Sequence, residues 1–96
     1  MVPKAVLALH QNHPNPFNPA TTISFVLPER ARVTLAIYDV EGRHVRTLVD
    51  QVLAAGKNEA TWDGADDRGN RMSSGVYVYR LKTEKQSLTG KMVLLK

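Results

Sequence analysis

Hydrophobic and polar residues alternate along most of the chain, with the period of two that is typical of half-buried β-strands. In Thr21–Leu27, for example, one face carries Ile23, Phe25 and Leu27. The pattern predicts seven short strands and no helix. They are Val6–His10, Thr21–Leu27, Arg32–Asp39, Arg43–Val49, Lys57–Trp62, Val76–Thr83 and Gln86–Leu95.

Turn residues separate these strands at intervals of about 8 to 12 residues, which favours an antiparallel β-sandwich. Asp39–Gly42 reads as a tight turn that joins two of the strands into a hairpin, with Gly42 free to take a positive φ. Residues 63–75 consist of turn chemistry, and Val52–Gly56 is a short apolar piece closed by a turn glycine. Gly90 is expected to mark a β-bulge in the last strand.

The segment from His13 to Pro19 holds three prolines, each preceded by His or Asn. Proline has no backbone N–H, so this segment cannot form an ordinary central strand. We predict a stiff, extended crossing between the first two strands. Phe17, whose burial would contribute about 2 kcal/mol, is expected to close one end of the sandwich. Asn12, Asn15 and Asn18 are expected to bond nearby backbone groups.

Composition narrows the function. The 96 residues make one domain, residues 1–96, with 43% hydrophobic residues, a net charge of +4 and no cysteine. Disulfides, cysteine-ligated zinc and thiol nucleophiles are therefore excluded. The chain has no run of about 18 apolar residues, so no membrane span is predicted. The start of the chain lacks the features of a signal peptide.

Candidate chemical sites are weak. The loop from Asp63 resembles a calcium loop, but Ala65 and Ser74 stand where an EF-hand needs oxygen ligands. A looser calcium site at Asp63, Asp66 and Asp67 stays open beside a plain polar loop. We expect no zinc site at His10 and His13, no cofactor and no catalytic motif. We also expect no nucleic-acid surface, because most aromatic residues, Trp62 included, share the core face.

Several motifs together carry a family resemblance. The chain contains HPNPFNPATTISF, YDVEGRHVRTL, GVYVYRL and a final KMVLLK in that order. It resembles the type A C-terminal sorting domain of the bacterial type IX secretion system and the related immunoglobulin-like domain of the flagellar hook-capping protein. One position departs from the pattern, since His13 stands where the family often carries an aromatic residue.

The resemblance implies an immunoglobulin-like antiparallel β-sandwich of about seven strands, without enzymatic activity. It implies a sorting module that follows a larger cargo domain and is read by secretion machinery proteins, which deliver the cargo through the periplasm and outer membrane to the cell surface or medium. It implies no membrane insertion. A final strand ending at a lysine such as Lys96 is expected of the sorting family.

Three segments are candidates for partner recognition, the last because an edge strand offers unpaired backbone groups. They are the crossing (Pro14, Asn15, Pro16, Phe17, Asn18, Pro19), the hairpin (Gly42, Arg43, Val45) and the last strand (Lys91, Met92, Val93, Leu94, Leu95, Lys96). Two alternatives remain: a structural module of a flagellar hook-capping or surface assembly, and a carbohydrate-binding appendage, for which no exposed aromatic row is seen.

Overall fold

A computed structural model describes residues 6–96 of the chain. This part of the chain is all β, as the alternation predicted. Its seven strands are β1 (Ala8–Leu9), β2 (Thr21–Leu27), β3 (Ala31–Asp39), β4 (His44–Leu53), β5 (Gly56–Trp62), β6 (Gly75–Lys82) and β7 (Ser87–Leu94). No helix long and apolar enough to cross a membrane occurs among these residues.

The strands form two antiparallel sheets that pack face to face. One sheet has three strands in the order β1-β2-β5, and the other has four in the order β4-β3-β6-β7. The predicted hairpin between β3 and β4 is confirmed. Because successive side chains of a strand point to opposite faces, every second residue enters the space between the sheets. Side chains that are 0–1% exposed there include Ile23, Phe25, Val33, Leu35, Ile37, Trp62 and Leu81.

Three local predictions were wrong. The first strand is shorter than Val6–His10 and keeps only Ala8–Leu9. Val52 and Leu53 do not form a separate piece but end β4, and Gly56 opens β5. The register of β6 with β7 runs unbroken past Gly90, which pairs with Tyr79, so there is no bulge there. The bulges lie between β3 and β4 instead, at Leu35/Ala36 and Ile37/Tyr38.

Gly90 has a packing role in place of the expected bulge. A Cβ atom built on this glycine would overlap the ring of Tyr79, the residue directly opposite on β6. Tyr79 is 1% exposed, so its ring has no room to move aside. The residue on β7 that faces Tyr79 must therefore lack a side chain.

The chain runs between the two ends of the sandwich. Leu7 lies at the end formed by the β2–β3, β4–β5 and β6–β7 turns, where it lines a cleft of about 330 Å³ with Leu27 and Gln86. From there the chain pairs along β2, from Val26 at Ala8 to Thr22 at His13. Residues 14–20 then cross the opposite end, where β7 finishes at Leu94.

Candidate recognition site

Phe17 fixes the proline-rich crossing to the core. Residues 13–19 are named the strap here, and five of these seven residues are Pro or Asn. The Phe17 side chain is 1% exposed, and its ring centroid lies 5.5 Å from that of Trp62. Trp62 in turn contacts Tyr77 edge-on at 5.2 Å. The prediction that Phe17 and Trp62 are core residues is confirmed.

The strap is bent rather than simply extended. Within it, backbone pairing occurs only at residues that keep an N–H group. His13 forms an antiparallel bridge to Thr22, and Phe17 forms a parallel bridge to Leu94. The peptide bonds before Pro14, Pro16 and Pro19 are cis. The Pro14 carbonyl turns inward and accepts hydrogen bonds from Thr21 Oγ1 at 2.8 Å and from Asn12 Nδ2 at 3.2 Å.

The strap and the residues before it cover the free edge of β7 near its end. Phe17 N–H donates to Val93 O at 3.0 Å, and Leu95 N–H donates to Phe17 O at 2.9 Å. Asn15 Oδ1 accepts from Val93 N–H at 2.9 Å, and Gln11 Nε2 donates to Lys91 O at 2.8 Å. Four outward backbone groups of the last strand are thus already bonded, and a partner that adds a strand there must first displace these contacts.

A buried polar pair supports the strap from below. Asn12 and Thr21 are 2% and 1% exposed, and Asn12 Nδ2 donates to Thr21 Oγ1 at 3.0 Å. Tyr79 Oη accepts from Asn12 N–H at 3.2 Å and donates to His10 O at 2.9 Å. Burial of the Tyr79 hydroxyl raises its pKa above the ordinary value. The expected bond to a nearby backbone group is confirmed for Asn12. Asn15 bonds instead to Val93 of β7, far away in the sequence, and no backbone bond of the Asn18 side chain occurs within residues 6–96.

The β3–β4 turn is a rigid charged hairpin at this end of the sandwich. Gly42 takes φ +83°, as predicted, and Asp39 accepts through Oδ1 from the N–H groups of Glu41 and Arg43 at 2.9 and 3.0 Å. The Arg43 guanidinium donates to Asp39 Oδ2 at 2.9 Å. The Arg43 backbone N–H is the main cause of a lowered Asp39 pKa. The hydrogen bond from the Arg43 guanidinium to the Asp39 carboxylate raises the pKa of Arg43.

The three predicted segments meet at one end of the molecule, named the recognition end here. Phe17 bonds to β7, as described, and Lys96 N–H donates to Ser74 Oγ at 3.1 Å. Residues 72–77 share a cleft of about 260 Å³ with Asp39 and Arg43 of the hairpin turn. Residues that lie far apart in the sequence therefore present a continuous surface.

The predicted recognition residues divide into exposed and buried ones. Phe17, Val45, Met92 and Leu94 are at most 5% exposed and belong to the core. Val93 is half-buried. The residues exposed to a partner are Pro14, Asn15, Pro16, Asn18, Pro19, Gly42, Arg43, Lys91, Leu95 and Lys96.

Sequence reasoning missed the role of the loop between β5 and β6. Asp67 N–H donates to Val45 O at 3.1 Å, and Asp67 Oδ1 accepts from Thr47 N–H at 3.1 Å, so the loop covers the edge of β4. Asp66 Oδ1 accepts from the N–H of Asn70 at 2.8 Å and of Arg68 at 2.9 Å; the Asn70 N–H is the main cause of a lowered Asp66 pKa. Asx-type turn patterns signal the turns, but not their docking on β4.

These contacts bear on the calcium alternative. Asp66 and Asp67 each use a carboxylate oxygen to accept hydrogen bonds from backbone N–H groups. Arg46 Nη1 lies 3.6 Å from Asp63 Oδ1, which places a cation beside the third carboxylate. Within residues 6–96, no group of three or more His, Cys, Asp or Glu side chains is arranged to hold a metal ion.

Comparison with known proteins places this fold in two contexts. The model of the FlgD Ig-like domain family matches residues 14–87. Among solved structures, dimeric latent PorU from Porphyromonas gingivalis superposes with TM-score 0.71 and 21% identity over 95% of this chain. PorZ from the same organism, described as an essential surface component of the type IX secretion system, superposes with TM-score 0.64 and 22% identity over 94% of this chain. FlgD from P. aeruginosa superposes with TM-score 0.63 and 27% identity over 77% of this chain.

These matched proteins are longer than the present chain. The alignments cover 10% of PorU, 11% of PorZ and 58% of the FlgD chain. A comparison with curated protein sequences finds no match. The likeness to PorU and PorZ shows a shared fold.

Proposed function

The chain belongs to the FlgD Ig-like domain family, and from this premise we propose that it is a non-catalytic sorting module. In this proposal residues 1–96 form one domain that directs a larger attached protein through the type IX secretion machinery to the cell surface or medium. Machinery proteins recognise the exposed side chains of the recognition end. The module needs no cofactor and no metal ion for this role.

The convergence of the three segments carries the proposal. The strap and the end of β7 are joined by direct hydrogen bonds, the hairpin turn lines a cleft with residues 72–77, and Leu7 lies at the opposite end of the sandwich. A tag read by a receptor has to present its surface away from the protein it carries. With β2 seven residues long, the two ends are separated by roughly 20 Å of strand.

The structural neighbours support the same role. PorZ is named as a component of the type IX system, and a domain of this fold makes up a small part of both PorZ and PorU. A domain of about a hundred residues within a long chain is the arrangement that a sorting module requires. The net charge of +4 adds a preference for acidic partners.

The test is export of a reporter protein that carries residues 1–96 at its C-terminus in a type IX-competent bacterium. We expect the reporter in the medium or at the surface, and periplasmic retention of a folded fusion would contradict the proposal. Deleting Lys91–Lys96 is a poor variant, because it removes the core residues Met92 and Leu94. Leu95→Ser with Lys96→Gln changes only exposed side chains, and Arg30→Gln with Glu84→Gln at the far end is the control.

The second candidate is a structural module of a flagellar hook cap or surface assembly. The family match and the likeness to FlgD, at 27% identity over 77% of this chain, favour it. A hook-capping role predicts that the chain restores motility to a strain whose own FlgD lacks this domain. A sorting role predicts export of the fusion and no motility.

A further inference from the structure

Charge is unevenly distributed over the outer face of the four-stranded sheet. Arg80 and Lys82 of β6 and Lys91 of β7 alternate with buried residues and therefore point outward. In the register of these strands Arg80 lies opposite Thr89, so Lys91 is its diagonal neighbour, at about 7–8 Å between Cα atoms. Arg80, Lys82 and Lys91 are named the basic face here.

Glu84 of the β6–β7 turn is an acidic neighbour of the basic face, because it lines a cleft with Lys82, but the basic face itself forms no ion pair in the described part of the chain. None of the ion pairs formed within residues 6–96 includes Arg80, Lys82 or Lys91. The outward carboxylate of the same sheet, Asp50, lies across on β4 and is bonded to Arg32 at 2.7 Å. Arg80 and Lys91 are diagonal neighbours of like charge, so they repel each other weakly through solvent. A partner that brings carboxylates to this face would relieve that repulsion.

Arg80 is held in place for such a contact. Its guanidinium carbon lies 5.2 Å from the centroid of the Tyr38 ring, in a cation–π arrangement. The Tyr38 ring also makes an edge-on contact with His44 of β4, at 5.8 Å between ring centroids. An arginine that is already positioned loses less side-chain entropy when it pairs with a carboxylate.

We propose that the basic face is a docking surface for an acidic protein segment, one rich in Asp and Glu. Binding of single-stranded nucleic acid uses free aromatic rings for stacking, whereas the Tyr38 ring is covered by Arg80. Binding to a membrane surface relies on exposed aromatic and leucine side chains; Trp62, Phe17 and Phe25 are buried, and the exposed apolar residues on or next to this sheet include Val52, Val76 and Leu95. Carboxylates on a protein match the flat, charged surface that remains.

The basic face shares Lys91 with the predicted recognition residues, whereas Arg80 and Lys82 lie outside them, and it has its own test. Poly-L-glutamate is titrated into the 96-residue chain at low ionic strength, with binding followed by calorimetry. We expect saturable binding that is lost when salt is raised, because salt screens exposed charges. Arg80→Gln, Lys82→Gln and Lys91→Gln together should weaken it about tenfold, since each exposed ion pair contributes modestly.

The matched control removes three charges elsewhere, through Arg30→Gln, Lys57→Gln and Arg68→Gln, and should leave binding within about twofold. Lys82→Gln with Lys91→Gln is the second variant, which keeps the Arg80–Tyr38 contact and thus the fold of the sheet. Equal losses in the basic-face and control variants would overturn the proposal. So would stronger basic-face-dependent binding of single-stranded DNA or of phosphatidylglycerol vesicles than of poly-L-glutamate.

Discussion

Single residues in this domain act through what they touch rather than through their type. Gly90 has no unusual backbone angle and is required because the Tyr79 ring fills the space of a side chain. Asp39 and Asp66 share a pattern in which one carboxylate gathers backbone N–H groups of its own turn. None of these contacts is visible in the hydrophobic pattern, although the turn chemistry around Asp39 and Asp66 is.

Replacing Gly90 with alanine should destabilise the domain, although the same change in an open strand would reduce the entropy of the unfolded chain and stabilise it. The added methyl group would overlap the Tyr79 ring, and overpacking of this kind costs about 1–3 kcal/mol. Urea denaturation measures the free energy of unfolding. Thr89→Ala, an exposed neighbour on β7, is the control, and a stabilised Gly90→Ala variant would refute the packing role.

Stability should depend on the ionised forms of Asp39 and Asp66. Both pKa values are lowered in the fold from 3.8, so their contribution is present above that pH and is lost as pH falls through the lowered values. The fall in unfolding free energy below about pH 4 should be shallower in Asp66→Asn. Glu84→Gln, which removes an exposed carboxylate of the β6–β7 turn, is the control. Identical pH slopes in the Asp66 variant and the unchanged chain would contradict this.

At the scale of elements, the notable arrangement is the protection of strand edges. β4 is covered by Asp67 of the 63–72 loop, and the end of β7 is covered by the strap. Edge strands with open backbone groups are sites of unwanted pairing, so covering them limits such pairing along β4 and the end of β7. The uncovered part of β7 is its first half, where Ser87 and Thr89 point their backbone groups outward.

Hydrogen exchange of individual amides tests this coverage. The Val93 and Leu95 N–H groups, which bond to Asn15 Oδ1 and Phe17 O, should exchange slowly, whereas that of Thr89 on the same edge should exchange fast. Asn15→Ala should speed Val93 roughly tenfold, the effect of losing one hydrogen bond. Asn15→Asp keeps an acceptor and is the control. Equal protection of Thr89 and Val93 would show that the strap is not the cause.

The alternation of residues predicted β2, β3, β5, β6 and β7 to within two residues at each end, because one face of each strand is buried. The sequence also predicted Phe17 as a core residue, because it is the lone large apolar side chain among prolines. It could not predict that Phe17 bonds to β7, because parallel pairing of segments 77 residues apart leaves no local signal. Gly90 misled for a related reason, since the ring that excludes a side chain there belongs to another strand.

At the scale of the whole molecule, the sandwich separates its two ends. Leu7, near the start of the described chain, lies beside the β2–β3 turn. Lys96 is bonded to Ser74 at the other end of the strands. Leu7 thus lies far from the exposed side chains of the strap, the hairpin and Lys96. This geometry is set by the fold alone, and the sorting proposal uses it.

A C-terminal extension should therefore interfere with recognition, whereas an N-terminal fusion should not. Ten added residues of Gly and Ser after Lys96 would crowd the recognition end without touching the core. We expect loss of reporter export with an unchanged thermal midpoint of the purified domain. The same ten residues inserted between reporter and domain serve as the control. Normal export of the extended chain would show that the machinery reads another surface.

The ring contact between Phe17 and Trp62 gives the domain a built-in optical probe. Trp62 is the only tryptophan of the chain and is fully buried, so its fluorescence comes from the site where the strap docks. Lifting Phe17 away would admit water to the indole and shift its emission to longer wavelength while the sheets stay paired. A receptor that pulls the strap loose and one that merely rests on it would thus give different spectra, without any attached dye.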